Sequence, residues 1–255
     1  MVQIVPIPNL PEIGPGDDLA GLIAQAARAA ELDLQGSDIL CVAQKVVSKA
    51  EGCLVALSDV TPGPEARRYA DELGKDARKV EVVLGESARV LSAFKHPHQD
   101  EGTMICEHRL GFISANAGVD ESNLGQDDAV LTLPRDPDGS ARGLAEQLEG
   151  VFGGPIGIVI TDTFGRPWRL GQVNVAIGLA RVPATRVMEG EDDAWGRTLR
   201  VTEPAFADEL AAAAGLVMGK AARVPVIMLR DVDWAPVEMS SAADILRPQK
   251  EDQFQ

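Results

Sequence analysis

Two stretches of the 255-residue chain carry an apolar run into side chains rich in oxygen. "FISANAGVDESN" delivers Asp120, and "IVITDTFGRPWR" delivers Asp162 and Thr163. Hard divalent cations such as Mg²⁺ and Mn²⁺ take one or two carboxylates together with hydroxyl, carbonyl, water and phosphate oxygens, so these are suitable donor types. Loops held at strand ends commonly carry such chemistry. The competing reading is a turn, because Asn, Asp and Ser side chains hydrogen-bond nearby backbone and tolerate unusual dihedral angles. Spacing alone leaves both readings open.

Basic positions raise a parallel question. Lys45 and Lys49 in "AQKVVSKAEG" lie four apart and share one face if the segment is helical, or one face of a strand by parity. Two ammonium groups on one face bind phosphate oxygens as point charges, whereas a solvated surface is the plainer role. Arg166 and Arg169 flank Trp168, where a guanidinium can stack on the indole or fork onto a carboxylate.

Familiar nucleotide and hydrolase signatures are missing. "GLVMGKAA" falls one residue short of a P-loop and has Ala221 where Ser or Thr is required. No GxGxxG opens a helix, no GxSxG elbow occurs, and His96, His98 and His108 are not at zincin spacing. The His96 and His98 pair reads as an exposed loop.

The elements that must position these residues alternate in type. "VQIVPI" reads as a strand, and "IGPGDDLAGLIAQAARAAEL" as a turn and an Ala-rich helix capped by Asp17 or Asp18. "SDILCVAQKVVSKAEG" carries an apolar strand into a polar segment. Residues 64–92 show three-to-four-residue apolar spacing and predict helix. "TMICEHRLGFISANAG" predicts a hairpin or one bent strand, "ARGLAEQLEGVFG" a helix, and "PIGIVITDT" a buried strand that ends on its oxygen donors. "VTEPAFADELAAAAGLVMG" predicts a helix and "RVPVIMLRDV" a late strand. Residues 124–141, rich in Asp, Pro and Gly, predict an element-poor junction between two lobes.

Composition narrows the partners. At 45% apolar residues, the chain has enough hydrophobic surface for a substantial core. A formal net charge of −15 argues against nucleic acid, which demands clustered Lys and Arg, and against an anionic membrane surface. Cys41, Cys53 and Cys106 are odd in number and set among apolar residues, reading as reduced, buried thiols of a cytoplasmic protein. No secretory leader or membrane span is expected from the hydropathy pattern.

Six ordered blocks, "NLPEIGPGDDLAGLI", "VVSKAEG", "GFISANAGVDESN", "VITDTFGRPWR", "GRTLRVTEPAFADELAAAAGLVMG" and "ILRPQKEDQF", resemble the coenzyme F-420-0:L-glutamate ligases, the CofE type that also forms the N-terminal part of the FbiB proteins. The resemblance implies an α+β fold with mixed β-sheets flanked by helices in two closely associated lobes, forming one ligase domain over residues 1–255 and a homodimer. It implies no fused C-terminal flavin-binding domain. GTP, L-glutamate and the deazaflavin precursor F-420-0 are the implied substrates, with Mg²⁺ or Mn²⁺ at two sites and K⁺ as a further cofactor. Asp120, Asp162 and Thr163 would hold the divalent ions. The segment Asn9, Leu10, Pro11 and Glu12, together with Gln44, Lys45, Lys49, Asn123, Met218, Gly219 and Lys220, would contact the nucleotide. The chain departs from the family pattern at Lys220, where Glu or Gln is usual, at Asn9, where Gly is usual, at Gln44, where Ser is common, and in the acidic "RVMEGEDDAWG". An ammonium cannot ligate a cation, so Lys220 implies an altered second metal site or a phosphate contact.

The implied reaction phosphorylates a carboxylate with GTP and attacks the acyl phosphate with the glutamate amine. Metal ions and lysines would neutralise the repulsion between two anions. The same carboxylates also suit a metal-dependent phosphatase or nucleotide hydrolase, and Lys220 suits a nucleotide-binding regulator without turnover.

Overall fold

Ile39–Ala43 forms the central strand of the main sheet because it can be buried on both faces: Ile39, Leu40, Cys41 and Val42 are all fully enclosed. The computed structural model describes residues 1–122, 124–125 and 127–252. We number the strands in chain order as β1 (Gln3–Pro6), β2 (Ile39–Ala43), β3 (Leu54–Ala56), β4 (Ser87–Phe94), β5 (Thr103–His108), β6 (Ile113–Ala115), β7 (Ala129–Leu131), β8 (Gly157–Arg166), β9 (Arg169–Ala180) and β10 (Val226–Arg230). The helices are α1 (Leu19–Ala29), α2 (Gln44–Ala50), α3 (Pro64–Leu73), α4 (Ala77–Glu86), α5 (Pro137–Phe152) and α6 (Phe206–Met218).

The main sheet runs β1-β10-β2-β8-β9, with only the β2–β8 pair parallel. It is therefore mixed, as an α+β fold requires. Helices α1, α5 and α6 supply apolar faces to its core through Ile23, Ala27, Leu144, Leu148, Leu210 and Ala214. Asp18 caps α1 by accepting from Gly21 N at 3.0 Å, while Asp17 closes the preceding turn on Gly14 N at 2.7 Å. The α5 N-terminus lies tightly on β9: a Cβ added at Gly178 would come within 2.5 Å of the Pro137 carbonyl oxygen, so only glycine permits this approach. A second core joins α3 and α4 to the β4-β5-β6 sheet through Ala66, Leu73, Val80, Met104 and Cys106. The short β3–β7 pair forms a third sheet.

Several sequence expectations change. Helix was expected to Ser92, but residues 87–94 form β4. Pairing with β5 shifts register between Ser87 and Arg89 and again between Val90 and Ser92. These irregularities interrupt strict alternation, which is how the apolar spacing resembled a helix. The stretch 124–141 contains β7 and the first turn of α5. β9 had no sequence signal because its first half is polar and exposed and only its second half is buried. Asp162 was placed beyond a strand end, yet it lies inside β8: pairing with β2 stops at Thr161, but pairing with β9 continues to Arg166. Cys41 and Cys106 are buried, whereas Cys53 is only partly buried. Among the described residues, no helix is long and apolar enough to cross a membrane.

Candidate active site

The β8–β9 ladder shifts register between Ile160 and Thr161, where Ile160 opposes Gly178 but Thr161 opposes Ala176. The additional β9 residue, Ile177, makes a bulge, a device that bends a strand and re-aims side chains. The Ala176 N–H is taken by Asp208 Oδ1 at 2.8 Å, which ties the bulge to α6. Immediately beyond it, Asp162 opposes Val175 and Thr163 opposes Asn174. Burial pushes the Asp162 carboxyl up to about 6, and the Asp120 charge adds to that rise. The Thr163 N–H and the ammonium groups of Lys45 and Lys220 oppose it. Thus two carboxylates repel one another in a partly dry site while lysines offset their charge.

Asp120 follows a short left-handed turn in which Asn116, Ala117 and Gly118 have φ values of 51°, 50° and 69°. This conformation costs an alanine about 1–2 kcal/mol and is held by the surrounding packing; Ala117 is fully buried. The Asp120 backbone then bridges to Leu131 through reciprocal hydrogen bonds of 3.0 and 2.8 Å. Its carboxylate accepts from Ser122 N at 2.7 Å and pairs with Lys45 Nζ at 2.7 Å. Burial raises the Asp120 carboxyl, but Lys45 and the Ser122 N–H outweigh it and hold the group below the usual carboxylate range. The turn reading of "FISANAGVDESN" is therefore physically present, since Asp120 accepts from Ser122 N, and its other oxygen faces the Lys45 ammonium.

The polar segment after β2 is helical, so Lys45 and Lys49 do share a face. Lys45 also donates to the Ser122 carbonyl oxygen at 2.8 Å and to the Ser122 hydroxyl. Lys49 pairs with Glu12 and so connects α2 to the Asn9–Glu12 segment. Asn9 adopts a φ of 60°, Leu10 packs partly against the main core, and Pro11 and Glu12 are exposed. Gln44 is buried and accepts from Ser48 Oγ at 2.8 Å, while its Nε2 has no partner among the described residues.

At the end of α6, Met218 is buried and its sulfur receives the Asn174 amide at 3.8 Å. Gly215 leaves room for Asn174, because a Cβ there would meet the amide carbon at 3.1 Å. Thr163 donates to Asn174 Oδ1 at 3.1 Å, and Lys220 Nζ donates to Thr163 Oγ1 at 3.1 Å. Gly219 and Lys220 are exposed. Strand alternation turns the Thr163 side chain away from that of Asp162, so its hydroxyl joins Asn174 and Lys220 instead. Arg166 reaches the Leu170 carbonyl at 2.9 Å across the β8–β9 turn, where Trp168 is 85% exposed. Asn123 lies outside the described residues. Sequence reasoning missed Asn174 because β9 was not recognised, and passed over Ser122 as one of many turn-forming serines.

The cluster contains two carboxylates, and among the described residues no group of three His, Cys, Asp or Glu side chains forms a protein metal cage. Two carboxylates under mutual repulsion fit a hard cation that completes its shell with phosphate and water oxygens. They do not fit a soft or four-ligand structural metal.

Residues 8–231 match the family described as F420-0:Gamma-glutamyl ligase. The chain is 41% identical over 256 residues to the coenzyme F420:L-glutamate ligase of Methanothermobacter thermautotrophicus, covering 99% of this chain and 98% of that relative. It is 44% identical over 230 residues to the protein of the same name from Methanopyrus kandleri, covering 90% and 86% respectively. Identity to the Methanosarcina acetivorans protein of that name is 38% over 251 residues, covering 98% and 94%.

Proposed function

Because the chain belongs to the F420-0:gamma-glutamyl ligase family, we propose that it is a GTP-dependent ligase that joins L-glutamate to the lactyl carboxylate of F-420-0. The near-full-length relationship to ligases of that name carries the reading. The juxtaposition of Asp120, Lys45 and Asp162 supports a phosphate-handling role.

The reaction proceeds in two balanced steps. An acceptor carboxylate oxygen attacks the γ-phosphorus of GTP, forming an acyl phosphate as GDP leaves. The glutamate amine then attacks the acyl carbon, phosphate departs, and the amine nitrogen releases a proton as the amide forms. Lys45 and Lys49 bind and orient phosphate oxygens as point charges, and Lys220 adds a third cation from just beyond α6. Asp120 and Asp162 would hold the divalent ion, Mg²⁺ or Mn²⁺; Thr163, the third expected oxygen donor, has its hydroxyl engaged by Asn174 and Lys220 and would have to give up that contact to join them. When bound, the ion stabilises charge on the transferring phosphoryl group. In the same reading Asn9–Glu12, Gln44, Asn123 and Met218–Gly219 contact the nucleotide. K⁺ and a homodimer belong to the same reading.

Mass spectrometry of F-420-0 incubated with the chain, GTP, Mn²⁺ and glutamate tests it. One or more added glutamyl units, dependent on both GTP and glutamate, support the ligase. Phosphate release independent of both acceptor and glutamate, without an amide product, points instead to a hydrolase; nucleotide binding without turnover points to a regulator.

A further inference from the structure

We infer that Lys45, assisted by Lys220, is a built-in counter-ion that keeps the divalent ion out of the carboxylate pair until nucleotide phosphates draw the ammonium away. Metal and nucleotide then bind as one coupled unit. The inference rests on the nucleotide-and-metal reading above, but concerns the order and coupling of binding.

Hydrogen-bond capacity is the first argument. An ammonium has three donors, and Lys45 directs its nitrogen to three oxygens: Asp120 Oδ2 at 2.7 Å, the Ser122 carbonyl at 2.8 Å and the Ser122 hydroxyl. The other Asp120 oxygen already accepts from Ser122 N. The Lys45 side chain is 22% exposed, so this pair is sheltered from full solvent screening. A phosphate oxygen recruiting Lys45 must replace at least one of these contacts. If the Asp120 contact is replaced, the carboxylate is exposed to a cation in the same event.

Charge is the second argument. Asp120 and Asp162 contribute two formal negative charges when ionised, and Lys45 and Lys220 two positive ones; both lysines act electrostatically on Asp162. A neutral cluster attracts a divalent ion weakly. Phosphate groups drawn to the lysines leave the carboxylates underneutralised and bring further oxygen ligands, so the cation gains affinity from both changes. Lys220 differs from Lys45 in being exposed and hydrogen-bonded to the neutral Thr163 hydroxyl, so its restraint is the weaker one. By linkage, a nucleotide that strengthens metal binding must itself bind more tightly when the metal is present.

The test measures Mn²⁺ binding to the full chain by electron paramagnetic resonance, followed by equilibrium dialysis of an imido analogue of GTP with and without Mn²⁺. Nucleotide-free Lys45→Met should bind Mn²⁺ about tenfold or more tightly than the original chain, with a smaller gain in Lys220→Met. Adding Asp120→Asn to Lys45→Met should remove the gain. Positive coupling between Mn²⁺ and the analogue, corrected for their association in solution, should fall in Lys45→Met. Melting curves and Lys45→Gln establish that the effect follows charge rather than misfolding. Equal Mn²⁺ affinity in the original chain and both folded Lys45 variants overturns the inference. Coupled binding without amide formation overturns the ligase reading alone and leaves the counter-ion role standing.

Discussion

The Lys220 ammonium lies 3.1 Å from the Thr163 hydroxyl, joining the end of α6 to β8 across 57 residues of sequence. The contact holds Lys220 at the residue next to Asp162, whose carboxylate feels its charge without touching it. Lys220→Glu should increase the number of divalent ions held with GTP bound and steepen the Mn²⁺ dependence of turnover. Metal titration of the nucleotide complex checks this. Two equally tight ions in the original chain would show that Lys220 does not replace a metal site.

Asp120→Asn and Asp162→Asn replace carboxylates by near-isosteric neutral amides. Each should reduce ligation by about a hundredfold or more at limiting Mn²⁺ by weakening the cation that stabilises phosphoryl transfer. Circular dichroism should remain unchanged. Near-normal turnover in Asp120→Asn would return Asp120 to its turn-forming role alone.

Lys49 carries the second α2 ammonium, its side chain 14% exposed. Its partner Glu12 is 79% exposed, so their ion pair contributes about 0–1 kcal/mol to folding. Lys49→Ala should weaken GTP affinity about ten- to hundredfold through loss of the proposed charge-assisted phosphate contact. Lys49→Arg should retain part of that affinity. Calorimetry showing unchanged GTP affinity in Lys49→Ala would assign the residue to the solvated surface.

The main sheet contains a different kind of ion pair. Arg230 approaches Asp38 at 2.9 Å through Nε, and Asp38 is only 1% exposed. Arg230→Met leaves that carboxylate buried without its cation and should cost about 3–5 kcal/mol of stability. Denaturant unfolding measures the loss. A change below about 1 kcal/mol would show that Gln35 N, which donates to Asp38 at 2.8 Å, suffices to hold the carboxylate.

Acid sensitivity should include Glu86. A hydrogen bond from His108 lowers its pKa, burial opposes that effect, and Arg109 reinforces the lowering. His108 Nδ1 accepts from Leu110 N at 3.0 Å, leaving Nε2 to donate to Glu86 at 3.2 Å. A depressed folded-state carboxyl stabilises the protein above its unfolded pKa and loses that contribution as pH falls through the folded value. Glu86→Gln should cost about 1–3 kcal/mol at pH 7, with the difference narrowing below about pH 4. Urea titrations at several pH values test the sign. A constant difference across that range would remove Glu86 from the acid response.

The central strand and helices α1, α5 and α6 were legible because local apolar patterns and capping residues are written in adjacent positions. "ILCV" must be sheltered on both sides, and Asp18 lies where a helix N-terminus needs an acceptor. Lys45 and Lys49 were recognisable as a same-face pair because residues four apart share a face in a helix and in a strand. The six ordered blocks that resemble the ligase family are likewise local in sequence and need no fold to be read. The position of Asp162 was not legible, because β8 remains a strand only by pairing with the half-exposed β9. Nor did spacing place Lys45 on Asp120 or Lys220 on Thr163. Those contacts join residues separated by 75 and 57 positions, at distances decided by the β8–β9 bulge, the left-handed turn before Asp120 and the end of α6. Sequence determined which groups had chemistry to offer; tertiary structure decided their electrostatic partners, because charge interaction depends on distance and solvent exclusion rather than chain order.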